Sequence, residues 1–309
     1  MRTSLGKLRA LILVVSAVLL FPSAAAADSL GLITFESSQG YVLGPIGGQP
    51  TADTLPNGKW QKDGPYDVNV VMVSTYPDAR DYGLGSQALQ ISDAVTSGSF
   101  GDQTFSPGLG DEAGESGAFN DGLSGGLRQP HFGASFLIGT TQATQQCVGC
   151  PTPLKMTVSP DRGDGARMSF LRFEDQADGV HVFFADVVDK GPVGTSANFR
   201  TSEIATLSRD RSHLIQFSID FKDGAANDTV KIYIDSKLVK TGSTWEDYYR
   251  YDPEQTLQGN KVPTVDKLLF RLSGNSQHIP PYDPNPTDLG KGFLIDRVTL
   301  ESSGLNLRK

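Results

Sequence analysis

Cysteine is nearly absent from this chain, because its 309 residues include only Cys147 and Cys150, spaced C-x-x-C. A structural zinc site would need two more ligands nearby, and a thioredoxin-like redox pair would need a βαβ context that the neighbouring sequence lacks. In an oxidising compartment the spacing favours a local disulfide that closes a Gly/Pro-rich loop. We therefore expect a structural disulfide, with the redox pair and the zinc site as weaker alternatives.

Long apolar runs are equally scarce, and the longest lies at the N-terminus. Arg2, Lys7 and Arg9 precede the apolar run from Leu11 to Phe21, and small residues follow up to Ala27. This layout predicts a secretory signal over residues 1–27 that is cleaved after the three alanines. The alternative, an uncleaved anchor, would need about 20 apolar residues to span a bilayer. We expect a mature protein that is secreted to the extracellular space or periplasm and does not insert into the membrane.

Basic residues are in short supply in that mature chain. Residues 1–27 hold three basic and no acidic residues, so 24 basic and 35 acidic residues remain, a net charge of −11. A negative surface repels nucleic acid and anionic membranes. We therefore expect neither as a partner, and the sequence leaves the oligomeric state open.

Amphipathic helices longer than a few turns are also missing, and strand patterns take their place. Val230, Ile232 and Ile234 alternate with polar residues, which is typical of a strand with one buried face. Ten further segments have strand character, and turn sequences rich in Gly, Pro and Asp separate them. The eleven predicted strands are Leu32–Glu36, Val68–Val73, Gln87–Ser92, Phe132–Ile138, Leu154–Ser159, Arg167–Glu174, Val180–Val188, Leu214–Phe221, Val230–Asp235, Lys267–Leu272 and Phe293–Leu300. Many short strands without helices predict an all-β fold, an antiparallel β-sandwich of the jelly-roll type.

A glycine-rich stretch interrupts the strands between Gly98 and Gly126. Its composition buries little apolar surface, so we expect a long surface loop. A linker between two domains is the alternative, but the strands before it are too few to close a core. We therefore expect residues 28–309 to form a single domain.

Three segments resemble secreted bacterial members of the concanavalin A-like lectin/glucanase superfamily, near its laminin-G-like branch. They are NDTVKIYIDSKLVKTGSTWEDYYRYD, KGFLIDRVTLES and the opening GLITFESSQGYVLGPIGGQ. The resemblance spans residues 30–303 and implies two curved antiparallel sheets, glycans held on a concave face or by rim loops, and often a structural calcium ion. Fold alone does not carry function across.

Catalytic motifs of that superfamily are missing. Retaining glucanases place carboxylates on one strand as Glu-x-Asp-x-x-Glu or Glu-x-Asp-x-Glu, and neither string occurs here. Arg200-Thr201-Ser202-Glu203 resembles an alginate-lyase motif with one residue inserted, which moves Glu203 to the opposite face of a strand. Gly122–Gly126 matches G-x-S-x-G, but loop sequence flanks it on both sides. The catalytic residues, if there are any, are unknown.

For binding, aromatic and charged residues alternate in TWEDYYRYDPEQ. A sugar presents an apolar C–H face and a hydroxyl rim, which suits aromatic rings beside charged groups. The predicted ligand-binding residues here are Trp245, Tyr248, Tyr249 and Tyr251, with Trp60 as a further candidate. The alternative for Trp245 and Tyr249, four residues apart on a helical turn, is that they plug the edge of the sandwich.

Two further clusters complete the predicted sites. Arg172 and Glu174 share a strand face, and with His181 on the next strand they could form a polar ligand patch; a satisfied ion pair and a surface histidine are the alternatives. Calcium prefers hard oxygen ligands, which turns supply here. The candidate calcium ligands are Asp161, Asp164, Asp186 and Asp189.

These observations predict a secreted, non-catalytic carbohydrate-binding or adhesive protein with a glycan or polysaccharide as its partner. One alternative is a polysaccharide hydrolase or lyase of the same fold. The other is a cell-surface structural domain that binds protein.

Overall fold

A computed structural model describes most of the chain after the predicted signal. It covers residues 28–51, 58–62, 64, 67–79, 82–92, 103–118, 126–148, 153–187, 191–273 and 291–302. The predicted signal at 1–27, Cys150, Asp189 and parts of the glycine-rich stretch lie outside the described residues. The expected disulfide therefore stays a prediction.

The described residues are nearly all β structure, in agreement with the sequence. Strands β1 to β9 are Ser29–Ile33, Gly44–Pro45, Gln61–Lys62, Val68–Met72, Gln87–Ile91, Gln103–Phe105, Glu112–Ala113, Arg128–Gln129 and His131–Thr140. Strands β10 to β18 are Lys155–Asp161, Leu171–Gln176, Gly179–Val187, Phe199–Leu207, His213–Asp220, Thr229–Ile234, Lys237–Gly242, Lys267–Ser273 and Phe293–Glu301. Two short helices follow β16, α1 (Glu246–Tyr251) and α2 (Pro253–Thr256), and three single 3₁₀ turns lie at Ser37–Gln39, Val73–Thr75 and Pro77–Ala79.

The strands form two large antiparallel sheets that pack face to face. The nine-stranded sheet has the order β16-β15-β14-β9-β18-β5-β4-β2, and β1 also pairs with β18. The seven-stranded sheet has the order β13-β12-β11-β10-β17-β6-β3. The short strands β7 and β8 pair in parallel beside them. The predicted antiparallel β-sandwich is confirmed.

The core lies between the two sheets and follows from the period of two in the strands. In β15, Val230, Ile232 and Ile234 are buried, as predicted. Phe136 of the nine-stranded sheet meets Phe270 of the seven-stranded sheet edge to face, with ring centroids 5.8 Å apart. Such aromatic pairs add to the free energy gained by burying apolar surface.

A smaller apolar cluster covers part of the other face of the nine-stranded sheet. Leu294 alternates with Phe293 and Ile295, which face the main core, and it packs instead under the segment around Tyr76 and Tyr82. This outer cluster buries Ala88 of β5 and Leu294 of β18 on that face.

All eleven predicted strands exist, but some of their bounds differ. β1 ends at Ile33, two residues before Phe35, which adopts the left-handed conformation with φ 57°. β11 begins at Leu171 instead of Arg167, since the carbonyl of Met168 accepts a hydrogen bond from the Trp245 amide. The edge strand β13 was not predicted. None of the described helices is long and apolar enough to cross a membrane.

Candidate functional site

The two tryptophans expected to bind ligand are packing residues. Trp60 is 1% exposed, donates its indole N–H to the Tyr41 hydroxyl at 3.0 Å and packs against Phe35 and Phe270. Trp245 is 8% exposed and donates Nε1–H to the carbonyl of Ala185 at 3.0 Å. Neither indole offers a ring face to a sugar, so the structure corrects the prediction of Trp60 and Trp245 as ligand platforms. For Trp245 it favours the alternative, a plug at the sandwich edge.

The tyrosines of the same segment differ from one another. Tyr249 is largely buried, and its hydroxyl donates to the carbonyl of Arg167 at 3.1 Å. Burial raises the pKa of Tyr249 well above its usual range. The hydroxyl of Tyr248 accepts a hydrogen bond from Gln255 Nε2 at 2.6 Å, and Tyr251 is half-buried. Of these rings, Tyr249 is the one that borders a cleft.

That cleft, here named the rim cleft, has two lobes that share Tyr249, Gly259, Asn260 and Lys261. The first lobe has a volume of about 510 Å³ and is also lined by Arg162, Asp164, Gly165, Ala166, Gln255, Gln258 and Pro263. The second lobe, of about 380 Å³, is also lined by Glu115, Gly117, Arg250, Thr256 and Val262. Both volumes lie within the range of about 300–1,000 Å³ that is usual for ligand sites.

A tight turn forms one wall of the first lobe. Asp161 Oδ1 accepts the amides of Gly163 at 2.6 Å and Gly165 at 3.1 Å, and both glycines have positive φ. Burial is complete at Asp161 and raises its pKa to about 6. Arg162 and Asp164 form an ion pair with each other, so the Arg-Gly-Asp tripeptide does not present its two charges separately.

A chain of polar side chains forms the opposite wall. Asn260 Nδ2 donates to Gln255 Oε1 at 2.8 Å, and Gln255 in turn donates to Tyr248. Asp252 caps α2 by accepting the Glu254 amide at 2.8 Å. The amides of Gln255 and Asn260 are thus held in fixed orientations, which is what a preorganised binding site requires.

The second lobe has its own charge pair. Arg250 contacts the carboxylate of Glu115 and donates to the carbonyl of Gly224 at 2.8 Å. Burial raises the pKa of Glu115, although the charge of Arg250 opposes that effect. Arg250 also lies 3.5 Å from Glu246 Oε2, so each lobe presents a guanidinium beside at least one carboxylate.

Buried carboxylates behind the cleft anchor α1, and the sequence did not suggest them. Glu246 Oε1 accepts the amides of Asn227 at 2.8 Å and Asp228 at 3.1 Å. Asp228 accepts the Thr244 hydroxyl at 2.8 Å. Burial, together with the charge of Glu246, raises the pKa of Asp228 to about 7. Acidic residues are common in loops and at helix starts, so the sequence alone does not single these carboxylates out.

The three residues of the predicted polar patch, Arg172, Glu174 and His181, lie close together in what is named here the sheet-face patch. It lies on the face of the seven-stranded sheet that points away from the core and comprises Lys155, Arg172, Glu174, His181, Phe183 and Glu203. Glu174 lies opposite His181 in the strand register, and the Arg172 guanidinium lies 4.7 Å from the centre of the Phe183 ring.

The charged groups of the sheet-face patch are paired with one another. Arg172 Nε lies 2.8 Å from Glu174 Oε1, and His181 Nδ1 lies 2.9 Å from Glu203 Oε1. Burial alone would lower the pKa of His181, but a hydrogen bond to Asp178 and the charge of Glu203 raise it above its usual value. These contacts agree with the alternative to a ligand patch, in which Arg172 and Glu174 form a satisfied ion pair.

The candidate calcium ligands are not gathered in one place. Asp164 pairs with Arg162, and Asp186 lies 2.8 Å from Lys240 Nζ, while Asp189 is outside the described residues. Within the described ranges no group of three or more His, Cys, Asp or Glu side chains is placed to hold a metal ion. Calcium stays a prediction without an identified site.

A serine, a histidine and an aspartate that sequence reasoning missed come together at the ends of β13 and β14. His213 Nδ1 lies 2.8 Å from Asp235 Oδ2, and His213 Nε2 lies 3.4 Å from Ser208 Oγ. A histidine between an aspartate at Nδ1 and a serine at Nε2 is the arrangement of a catalytic triad. However, the Ser208 hydroxyl donates to Asp210, and the adjoining cavity of about 10 Å³ has no room for an acyl group. We interpret these three side chains as structural and not as a catalytic triad.

The sequence matches no family model and no curated protein. Solved structures resemble the fold distantly. A sialidase is 13% identical with a TM-score of 0.38, over 79% of this chain and 17% of that chain. An endo-beta-1,4-glucuronan lyase from the fungus Trichoderma reesei is 13% identical with a TM-score of 0.41, over 80% of this chain and 96% of that chain.

The binding domain of botulinum neurotoxin DC, solved in complex with rat synaptotagmin II, is 10% identical with a TM-score of 0.40. That match covers 86% of this chain and 48% of the toxin chain. Likenesses at this level carry no argument about function.

Proposed function

We propose that this protein is a secreted, non-catalytic carbohydrate-binding protein of the concanavalin A-like type, and that the rim cleft holds its glycan. The observation that carries the proposal is the rim cleft itself, with lobes of about 510 and 380 Å³ lined by amide and charged side chains. The signal-like N-terminus supports action outside the cytoplasm.

The chemistry of the lining suits sugar hydroxyls. Each hydroxyl both donates and accepts hydrogen bonds, and so does each side-chain amide. Gln255, Gln258 and Asn260 supply three such amides along the cleft. Since Gln255 and Asn260 bond to each other, their remaining donors and acceptors are oriented before a ligand arrives.

The sheet-face patch ranks second as a glycan site. None of its six side chains is an amide, whereas three side-chain amides line the first lobe of the rim cleft. The rim cleft also offers two cavities of about 510 and 380 Å³.

A glycan and polysaccharide array tests the proposal. Residues 28–309 should bind a defined glycan, and running the array with calcium and with chelator tests the predicted metal dependence. Silence in both conditions would contradict glycan binding and favour a protein-binding role.

Variants locate the site once a glycan is known. Gln258→Ala removes a lining amide and should weaken binding about fivefold, since one hydrogen bond contributes about 1 kcal/mol. Gln61→Ala removes an exposed glutamine on β3 and should leave affinity unchanged. Equal affinity for both variants would place the glycan elsewhere.

A further inference from the structure

The rim cleft consists of two lobes, and their number suggests how many sugar rings the ligand has. The two lobes share Tyr249, Asn260 and Lys261 in their lining, so they adjoin each other along these residues. Each lobe is large enough by itself to count as a small-molecule site. A single sugar ring would leave one lobe filled only with water.

The two lobes also repeat the same chemistry. Arg162 and Asp164 form a pair in the first lobe, and Arg250 and Glu115 form a pair in the second. In each pair a planar guanidinium supplies donors and a carboxylate supplies acceptors, which together match the hydroxyl rim of one sugar ring. Two successive rings would meet equivalent surroundings on the two sides of Tyr249.

The same pairing bears on the charge of the ligand. An anionic sugar binds most strongly to a guanidinium that has no carboxylate beside it. Here Asp164 and Glu115 already neutralise the two arginines, and a uronate would lie against their oxygens. Repulsion between the uronate and these carboxylates disfavours binding. Lys261, which lines both lobes, also makes an interaction within the protein. The lining therefore favours a ligand without formal charge.

We propose that the rim cleft selects an uncharged oligosaccharide of at least two linked rings, one in each lobe. This inference rests on the proposed glycan-binding function and names its substrate class. It also identifies Gly117 as a position that controls ligand length. Gly117 lines the second lobe, is exposed, and has no atom within 4 Å of the place where a side chain would begin.

Calorimetric titration with an oligosaccharide ladder tests the proposal. The probes are cello-, laminari- and manno-oligosaccharides of one to six rings, with oligogalacturonates as the charged counterpart. We expect affinity for one neutral ladder to rise at least about tenfold between one ring and three, as occupation of a second subsite requires. The oligogalacturonates should bind more weakly at every length.

Gly117→Phe blocks the second lobe in the folded protein. It should abolish the gain in affinity between one ring and three. Gly31→Phe is the matched control, because Gly31 on β1 has equally open surroundings outside the cleft. Gly31→Phe should keep the full gain in affinity between one ring and three.

The outcomes separate the two proposals. Three results would overturn the two-ring inference and leave glycan binding intact. They are an affinity that does not depend on ligand length, a gain with length that persists in Gly117→Phe, and a preference for oligogalacturonates. Absence of binding to every ladder and to the array overturns the proposed function itself.

Discussion

The sandwich core and the rim are stabilised in different ways. Between the sheets, buried side chains such as Phe136, Phe217 and Leu300 remove apolar surface from water and carry no charge. At the rim, residues 244–263 are held by buried carboxylates such as Glu246 and Asp228, which accept backbone amides.

This difference explains where a binding site can form. Apolar packing between sheets fills space densely and leaves few voids. Short helices and turns tied by hydrogen bonds leave concave surfaces lined with polar groups, as in the rim cleft. The core should therefore tolerate changes of pH, whereas the rim should respond to them.

The largest expected effect comes from the core. Leu300→Ala removes a fully buried side chain and should lower the free energy of unfolding by about 2–5 kcal/mol, through lost burial and a residual cavity. Leu257→Ala, at a position that is 87% exposed, should change it by less than about 0.5 kcal/mol. Urea denaturation of both variants measures the contrast. Similar losses in the two would contradict the assigned core.

The next effect is the pH response of the rim. The pKa of Asp228 is about 7 in the folded protein against an ordinary value of 3.8, so the folded state binds the proton more tightly. Its contribution to stability is therefore complete below about pH 4 and is lost as the pH rises to about 7. Burial raises the pKa of Asp161 to about 6 and that of Asp266 to about 7, which acts in the same direction.

Asp228→Asn tests this response. The amide imitates the neutral acid, so the variant should be more stable than the wild type at pH 8, by on the order of 2–4 kcal/mol, and should lose part of the slope below pH 7. Asp223→Asn is the control, because the pKa of Asp223 lies below its ordinary value and the residue is exposed. Thermal denaturation between pH 4 and 8 gives the slopes, and an unchanged slope in Asp228→Asn would count against the buried-carboxylate anchor.

A smaller effect distinguishes packing from binding at Trp245. Trp245→Phe keeps an aromatic plug and removes the hydrogen bond to Ala185, so it should cost about 1 kcal/mol of stability. Affinity for the identified glycan should stay within about twofold. A large loss of affinity with intact stability would show that the indole contacts the ligand.

The smallest effect is expected at Ser208. Ser208→Ala removes an exposed hydroxyl and should change stability by less than about 0.5 kcal/mol. Neither the wild type nor the variant should hydrolyse p-nitrophenyl acetate above the buffer rate. Hydrolysis that depends on Ser208 would contradict the structural interpretation of the His213 cluster.

Much of the core could be predicted from sequence, because a strand with one buried face repeats every two residues. Val230, Ile232 and Ile234 show that period plainly. The edge strand β13 was missed because most of its side chains are polar or exposed, as in Arg200-Thr201-Ser202-Glu203. An edge strand has no apolar period to detect.

The rim cleft could not be predicted in the same way. Its walls come from residues near 115, 162 and 258, which are adjacent only after folding. Aromatic residues drew attention to Trp60 and Trp245, yet the same apolar surface that suits a sugar also suits a core. Of the predicted aromatic residues, Tyr249 is the one that lines the cleft.

Hydrogen–deuterium exchange of residues 28–309, with and without a glycan identified on the array, tests the central claim most directly. If the rim cleft holds the ligand, peptides covering residues 162–166 and 255–261 should exchange more slowly in the complex. Peptides covering β11 and β12 should be unchanged. Protection of β11 and β12 with no change at the rim would contradict the assignment and move the site to the sheet-face patch.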